Sequence, residues 1–93
     1  MARYIMERVA RAAELNEESF PGLPLVEIAG DQRVLIEHHC GVTQYGRTRI
    51  SVRVKFGIVV VLGSGLELTR MTNKMLIISG KIGCVQLERC DKR

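Results

Sequence analysis

The chain has 93 residues, room for one domain, and 46% of them are hydrophobic although only two Tyr and two Phe are present. Fourteen Lys and Arg against ten Asp and Glu give a net charge of +4, a mild excess that singles out no anionic partner. The longest wholly apolar run, Ile58 to Leu62, falls far short of the roughly 20 residues of a membrane helix, and Arg3, Glu7 and Arg8 interrupt any signal-peptide core.

A cytoplasmic domain is therefore expected. Cys40, Cys84 and Cys90 make an odd count without framework spacing, which suits a reducing compartment. Cys84 and Cys90 would stand about 20 Å apart on one extended strand, so they pair only if the chain reverses between them. The core must come from Val, Ile and Leu, whose branched side chains suit a pleated sheet.

In chain order, Ile5, Met6, Val9, Ala12, Ala13 and Leu15 recur at helical spacing among Arg3, Glu7, Arg8, Arg11 and Glu14. They predict an amphipathic N-terminal helix over residues 1–18. So short a helix needs a surface to lie on, which makes Ile5 and Val9 candidate protein-interaction residues. Residues 19–24, with Pro21, Gly22 and Pro24, form a linker that stops the helix.

From Leu25 the apolar period changes to two. Val26 and Ile28, then Val34 and Ile36, alternate with polar residues around a Gly30-Asp31-Gln32 turn. Ile50, Val52, Val54 and Phe56 alternate with Arg49, Ser51, Arg53 and Lys55 in the clearest amphipathic strand. Ile58 to Leu62 follows after Gly57 as a strand covered on both faces. Turns are then expected at Gly63-Ser64-Gly65, at Thr72-Asn73-Lys74 and at Gly80-Lys81, separating strands at Leu66–Arg70, Met75–Ser79 and Ile82–Leu87. The result is an all-β domain over 25–88, closed by a charged tail over 89–93. Its expected architecture is a small antiparallel β-sandwich or roll of roughly seven to eight short strands, with a short β-solenoid as the alternative.

Glu37-His38-His39-Cys40 is the densest cluster of reactive side chains. If the strand runs on through it, His38 and Cys40 share a face and His39 points away. Two ligands then converge locally, where a metal wants three or four. The plainer reading is a strand end whose histidines bond nearby carbonyls or carboxylates, so no metal site and no cofactor is assigned. A thiol- or metal-dependent sensor built on Cys40 remains a minor alternative. A Cys–His nucleophile would need an orienting third group. Gly63-Ser64-Gly65 lacks the Lys-Ser/Thr of a phosphate loop, and Gly80-Lys81-Ile82 lacks the magnesium-binding hydroxyl. No catalytic residue is assigned, and the chain is not expected to be an enzyme.

Arg47, Arg49, Arg53 and Lys55 place four positive charges in nine residues, the last three on one strand face. Such a stripe suits phosphates or an anionic surface, and binding of nucleic acid or such a surface through residues 47–55 is the alternative function. Yet aromatic stacking partners are nearly absent, and rows of Arg and Lys also guard sheet edges. A protein-binding or solvated face is preferred, with Arg49, Arg53 and Lys55 as interaction residues, and nucleic acid is not the expected partner.

Taken in order, these segments resemble the YabP/YqfC family of small sporulation proteins of endospore-forming bacteria, most of all its YqfC-like branch. The residues that carry the resemblance are Leu23-Pro24 ahead of Gly30, and Val34 through Val42, which is similar to the family's Ile-Glu-Asn-His-x-Gly-(Val/Ile) segment. Tyr45, Arg49–Val54, Gly57 with the run to Gly63, Leu66-Glu67-Leu68, Met71 and Leu76–Ile82 follow in the family's order. Glu37, His39 and Gly41 lie in the best-matched segment, with structural roles expected. His38 stands where Asn is frequent and Cys40 where a basic residue is common.

The resemblance implies a protein without enzymatic activity, made in the mother cell and peripheral to the forespore membrane or spore envelope. It further implies docking to a membrane-associated partner of the YqfD-like kind. Self-association as a homo-oligomer is expected from size, since so small a domain without a disulfide framework is marginal alone. Sheet edges and the N-terminal helix are the expected contact surfaces, by strand addition.

Overall fold

Segments rich in branched apolar residues become six strands within residues 23–90, the part of the chain that the computed structural model describes. These are β1 (Leu25–Ala29), β2 (Arg33–Glu37), β3 (Val42–Tyr45), β4 (Arg49–Val54), β5 (Gly57–Met71) and β6 (Met75–Arg89). They form one six-stranded sheet in the order β1-β2-β6-β5-β4-β3, and every neighbouring pair is antiparallel. The expected antiparallel all-β class holds, and the antiparallel registers exclude the solenoid. No helix occurs among the described residues, so none there can cross a membrane. The helix expected over 1–18 lies outside them.

Two of the expected turns reverse the chain. Gly30, at φ 57°, carries the β1–β2 turn, where the Gln32 N–H donates to the Ala29 carbonyl at 3.1 Å. Thr72 builds the β5–β6 turn. Its N–H donates to the Met75 carbonyl at 2.7 Å, and its hydroxyl accepts from the Lys74 and Met75 N–H groups at 3.1 and 3.0 Å. A two-residue turn, Lys55-Phe56, joins β4 to β5. Lys55 therefore leaves the strand on which its alternation had placed it.

The Gly63-Ser64-Gly65 and Gly80-Lys81 segments do not reverse the chain. Each lies inside a strand of 15 residues, so six strands stand where seven to eight were expected. Their glycines serve a crossing. A Cβ at Gly63 would sit 2.0 Å from the Lys81 carbonyl oxygen, and one at Gly80 2.6 Å from that of Gly65. The β5–β6 register slips between Leu62 and Gly63, and again between Ser64 and Glu67. Bulges of this kind bend a strand pair and increase its twist.

The bend divides the sheet into two leaves. In one, β1 and β2 pair with the Met75–Ser79 part of β6; in the other, β3 and β4 pair with the Gly57–Leu62 part of β5. Along β5 the inward row is odd at Val59 and Val61 and even at Leu66 and Leu68, a change of parity that the bulge supplies. Val34, Ile36, Leu76 and Ile78 of the first leaf share one buried cluster with Ile50, Val52, Val54, Val59 and Val61 of the second, and Leu66 sits at the bend. The fold is a roll, one sheet doubled over a single aliphatic core.

Backbone bonds hold the doubled sheet together at its bends. The Gly63 and Leu66 N–H groups donate to the Thr48 and Arg47 carbonyls at 3.1 and 2.9 Å. Those of Gly80 and Ile82 donate to the Gln32 and Asp31 carbonyls at 3.2 and 2.7 Å.

Candidate functional site

β2 ends at Glu37, and the chain crosses from the first leaf to the second through His38, His39, Cys40 and Gly41. His38 takes a left-handed backbone, φ 64°, the one non-glycine residue to do so among the described residues. Its N–H donates to the Lys74 carbonyl at 2.7 Å, and its Nδ1 donates to the Leu23 carbonyl at 2.9 Å. His39 is half-buried. Its Nε2 donates to the Thr72 carbonyl at 2.8 Å while its Nδ1 accepts the Gly41 N–H at 3.0 Å. A neutral ring with its hydrogen on Nε2 satisfies both contacts at once.

Gly41, at φ 115°, then lets the chain meet β4. The Cys40 N–H donates to the Arg53 carbonyl at 2.7 Å, and the Arg53 N–H donates to the Gly41 carbonyl at 2.8 Å. The crossing is thus a clasp. It ties the segment leading into β1, the β5–β6 turn and the end of β4 to a single tetrapeptide.

This geometry corrects the strand-based placement of His38 and Cys40 on one shared face, because the strand has ended before them. Both rings are aimed at backbone carbonyls, and Cys40 is exposed. Among the described residues no three His, Cys, Asp or Glu side chains are grouped as ligands would be. Cys84 lies within β6 and Cys90 just beyond its end, so the chain does not reverse between them, and all three thiols are free. Glu37 is half-buried at the end of β2, opposite Leu25 and Met75.

The basic strand is more broken than its sequence suggests. Arg49 and Arg53 do share the outer face of β4, since Ile50, Val52 and Val54 fill the inner one. Arg49 is half-buried, and its Nε donates to Gln44 Oε1 at 3.0 Å. The same oxygen accepts from the hydroxyl of buried Ser51 at 3.4 Å. Arg53 is exposed, with Lys55 beside it in the turn and Arg47 in the loop before β4. Ile5 and Val9 lie outside the described residues.

An open depression of about 620 Å³ is lined by Asp31, Gln32, Arg33, Ser79, Gly80 and Lys81. The Gly80 and Ile82 N–H groups there are already bonded to the Gln32 and Asp31 carbonyls, so they offer a phosphate no backbone cradle.

What periodicity missed is the number of open edges. β1 and β3 end the sheet, but the long strands add two more. β2 reaches only the Met75–Ser79 part of β6, and β4 only the Gly57–Leu62 part of β5. β6 past Gly83 and β5 past Leu66 are therefore paired on one side only among the described residues. Val85 and Leu87 alternate with Gln86 and Glu88 in the sequence, which announces a two-faced strand and is silent about its edge.

Comparison with known proteins finds a match to the model of the YabP family over residues 24–93. No curated protein and no solved structure matches the chain.

Proposed function

The chain belongs to the YabP family, and we propose that it is a non-enzymatic assembly module of endospore formation. It acts in the mother cell, by self-association or by docking to a membrane-associated partner of the YqfD-like kind, at the forespore membrane or spore envelope. The observation that carries this reading is the family match itself, which takes in all six strands. The geometry supports it in kind. The two histidines of the best-matched segment are turned to backbone carbonyls, and the sheet leaves open edges suited to strand addition.

Deleting the gene in its own host tests the reading. Vegetative growth is expected to be unchanged while the yield of heat-resistant spores falls, with restoration by the intact gene. A deletion strain that sporulates normally, with full envelope layers by electron microscopy, refutes it.

The second reading, an anionic-surface binder, has one observation in its favour: Arg49 and Arg53 share an outer face. It predicts binding to acidic vesicles or nucleic acid that weakens steeply with salt and is lost in Arg49→Glu with Arg53→Glu.

A further inference from the structure

We propose that two copies of this chain join edge to edge along the Cys84–Arg89 part of β6, about a two-fold axis through Gln86, so that one sheet continues into the next. The inference rests on the assembly reading above and names its surface and its partner.

The direction of the backbone comes first. The Cys90 N–H donates to the Phe56 carbonyl at 2.8 Å, so this residue turns its polar groups toward β5. In an antiparallel ladder the direction alternates, and Glu88, Gln86 and Cys84 do the same. Val85 and Leu87 turn their N–H and C=O groups the other way, and no described strand lies there to receive them.

The side chains point to the same edge. Val85 is packed against the core, and Leu87, next on that inner row, is 61% exposed, the highest figure for a large apolar side chain among the described residues. The core row thus runs out into solvent at the edge. Arg89, the last member of the row, lies over the Phe56 ring at 5.3 Å from its centroid.

The other edges carry features that blunt pairing. β3 has four residues and a bulge between Val42 and Gln44. The open part of β5 is bulged between Leu68 and Arg70 and carries the charges of Glu67 and Arg70. β1 has five residues and follows Pro24. The register of β6 from Cys84 to Arg89 is regular, with no bulge and no proline.

A second copy fits because the strand is complementary to itself. A two-fold axis perpendicular to the sheet keeps inner rows with inner rows. With the axis through Gln86, Val85 faces Leu87 of the second copy, and Leu87 faces Val85 of the second copy. Both residues turn their polar groups outward, so each such pair exchanges both of its backbone bonds. On the outer face Cys84 lies opposite Glu88 of the second copy, and Gln86 lies opposite Gln86 of the second copy, with no like charges in register. Moving the axis to Val85 would set Lys81 against Arg89.

The full chain in reducing buffer is expected to sediment at twice its own mass at micromolar concentration. Leu87→Pro removes an N–H that points away from β5, so it is expected to halve the mass and leave the β-sheet circular dichroism in place. Leu87→Lys gives the same result by charge, should proline disturb the strand. The register has its own readout. Gln86→Cys, with Cys40, Cys84 and Cys90 changed to Ser, sets two thiols at a non-hydrogen-bonded position, where Cα atoms lie about 4.5 Å apart, within disulfide range. Mild oxidation is expected to link it into a covalent dimer. A monomeric wild type, or a dimer indifferent to both Leu87 variants, overturns the proposal, and failure of the Gln86→Cys link overturns its register. None of these results touches the sporulation reading, which the spore yield of the deletion strain decides separately.

Discussion

Position 38 shows what the clasp demands of a residue. A side chain at positive φ costs roughly 1–2 kcal/mol, least for Asn and Asp, which bond their own backbone. His38 offsets this with the bonds to Lys74 and Leu23, and the family resemblance puts Asn, the other tolerant residue, at the same place. His38→Val is expected to lower the unfolding free energy in urea by about 1–2 kcal/mol, whereas His38→Asn stays within about 0.5 kcal/mol of wild type. His39 acts differently, because both its ring nitrogens are engaged. His39→Ala leaves the Gly41 N–H and the Thr72 carbonyl without it, and a loss of about 1–3 kcal/mol is expected in the same measurement. The cluster was legible as a cluster from sequence, and so was its use of carbonyls. Its partners were not, for Thr72 lies 33 positions away, and no local pattern encodes that distance.

Among the elements, the β5–β6 pair decides the shape, and its glycines are not equivalent. Gly63 faces the Lys81 carbonyl at 2.0 Å from a built Cβ, and Gly80 combines a φ of +139° with a 2.6 Å approach to Gly65. Either glycine changed to Ala must push the strands apart, and a loss of about 2 kcal/mol or more is expected in thermal or urea unfolding. Gly65→Ala meets nothing within 4 Å and bears only its φ of +62°, so about 1 kcal/mol is expected. Gly83→Ala, at ordinary φ with its nearest contact at 3.5 Å, is expected to change stability by less than about 0.5 kcal/mol. The same glycines explain where the sequence misled. A turn and a crossing bulge both call for residues without a Cβ, so Gly30 and the Gly63-Ser64-Gly65 triplet look alike until pairing partners are known. Val42–Tyr45 escaped for the opposite reason: it is a bulged four-residue strand, too short to show a period.

At the scale of the whole molecule, two leaves share one core, and this makes a prediction that separate sheets would not. Ile78 belongs to the first leaf and is fully buried, in the same cluster as Ile50 and Val52 of the second. Ile78→Ala is expected to cost about 2–5 kcal/mol, a large part of the roughly 5–15 kcal/mol by which domains are stable. The question is where that loss is felt. Tyr45 sits on β3, opposite Ile50, in the leaf that Ile78 does not belong to. With Tyr4→Phe as background, Tyr45 is the sole tyrosine of the chain, and its fluorescence reports that leaf alone, while far-ultraviolet circular dichroism reports both. If the doubled sheet unfolds as one unit, Ile78→Ala moves both urea midpoints down together and the two curves superimpose. If the leaves are independent, the Tyr45 midpoint stays where the parent has it and the dichroism curve splits into two steps. The coincident shift is the expected result, because the residues that would have to separate are packed in one cluster and clasped at Arg53 by Cys40 and Gly41.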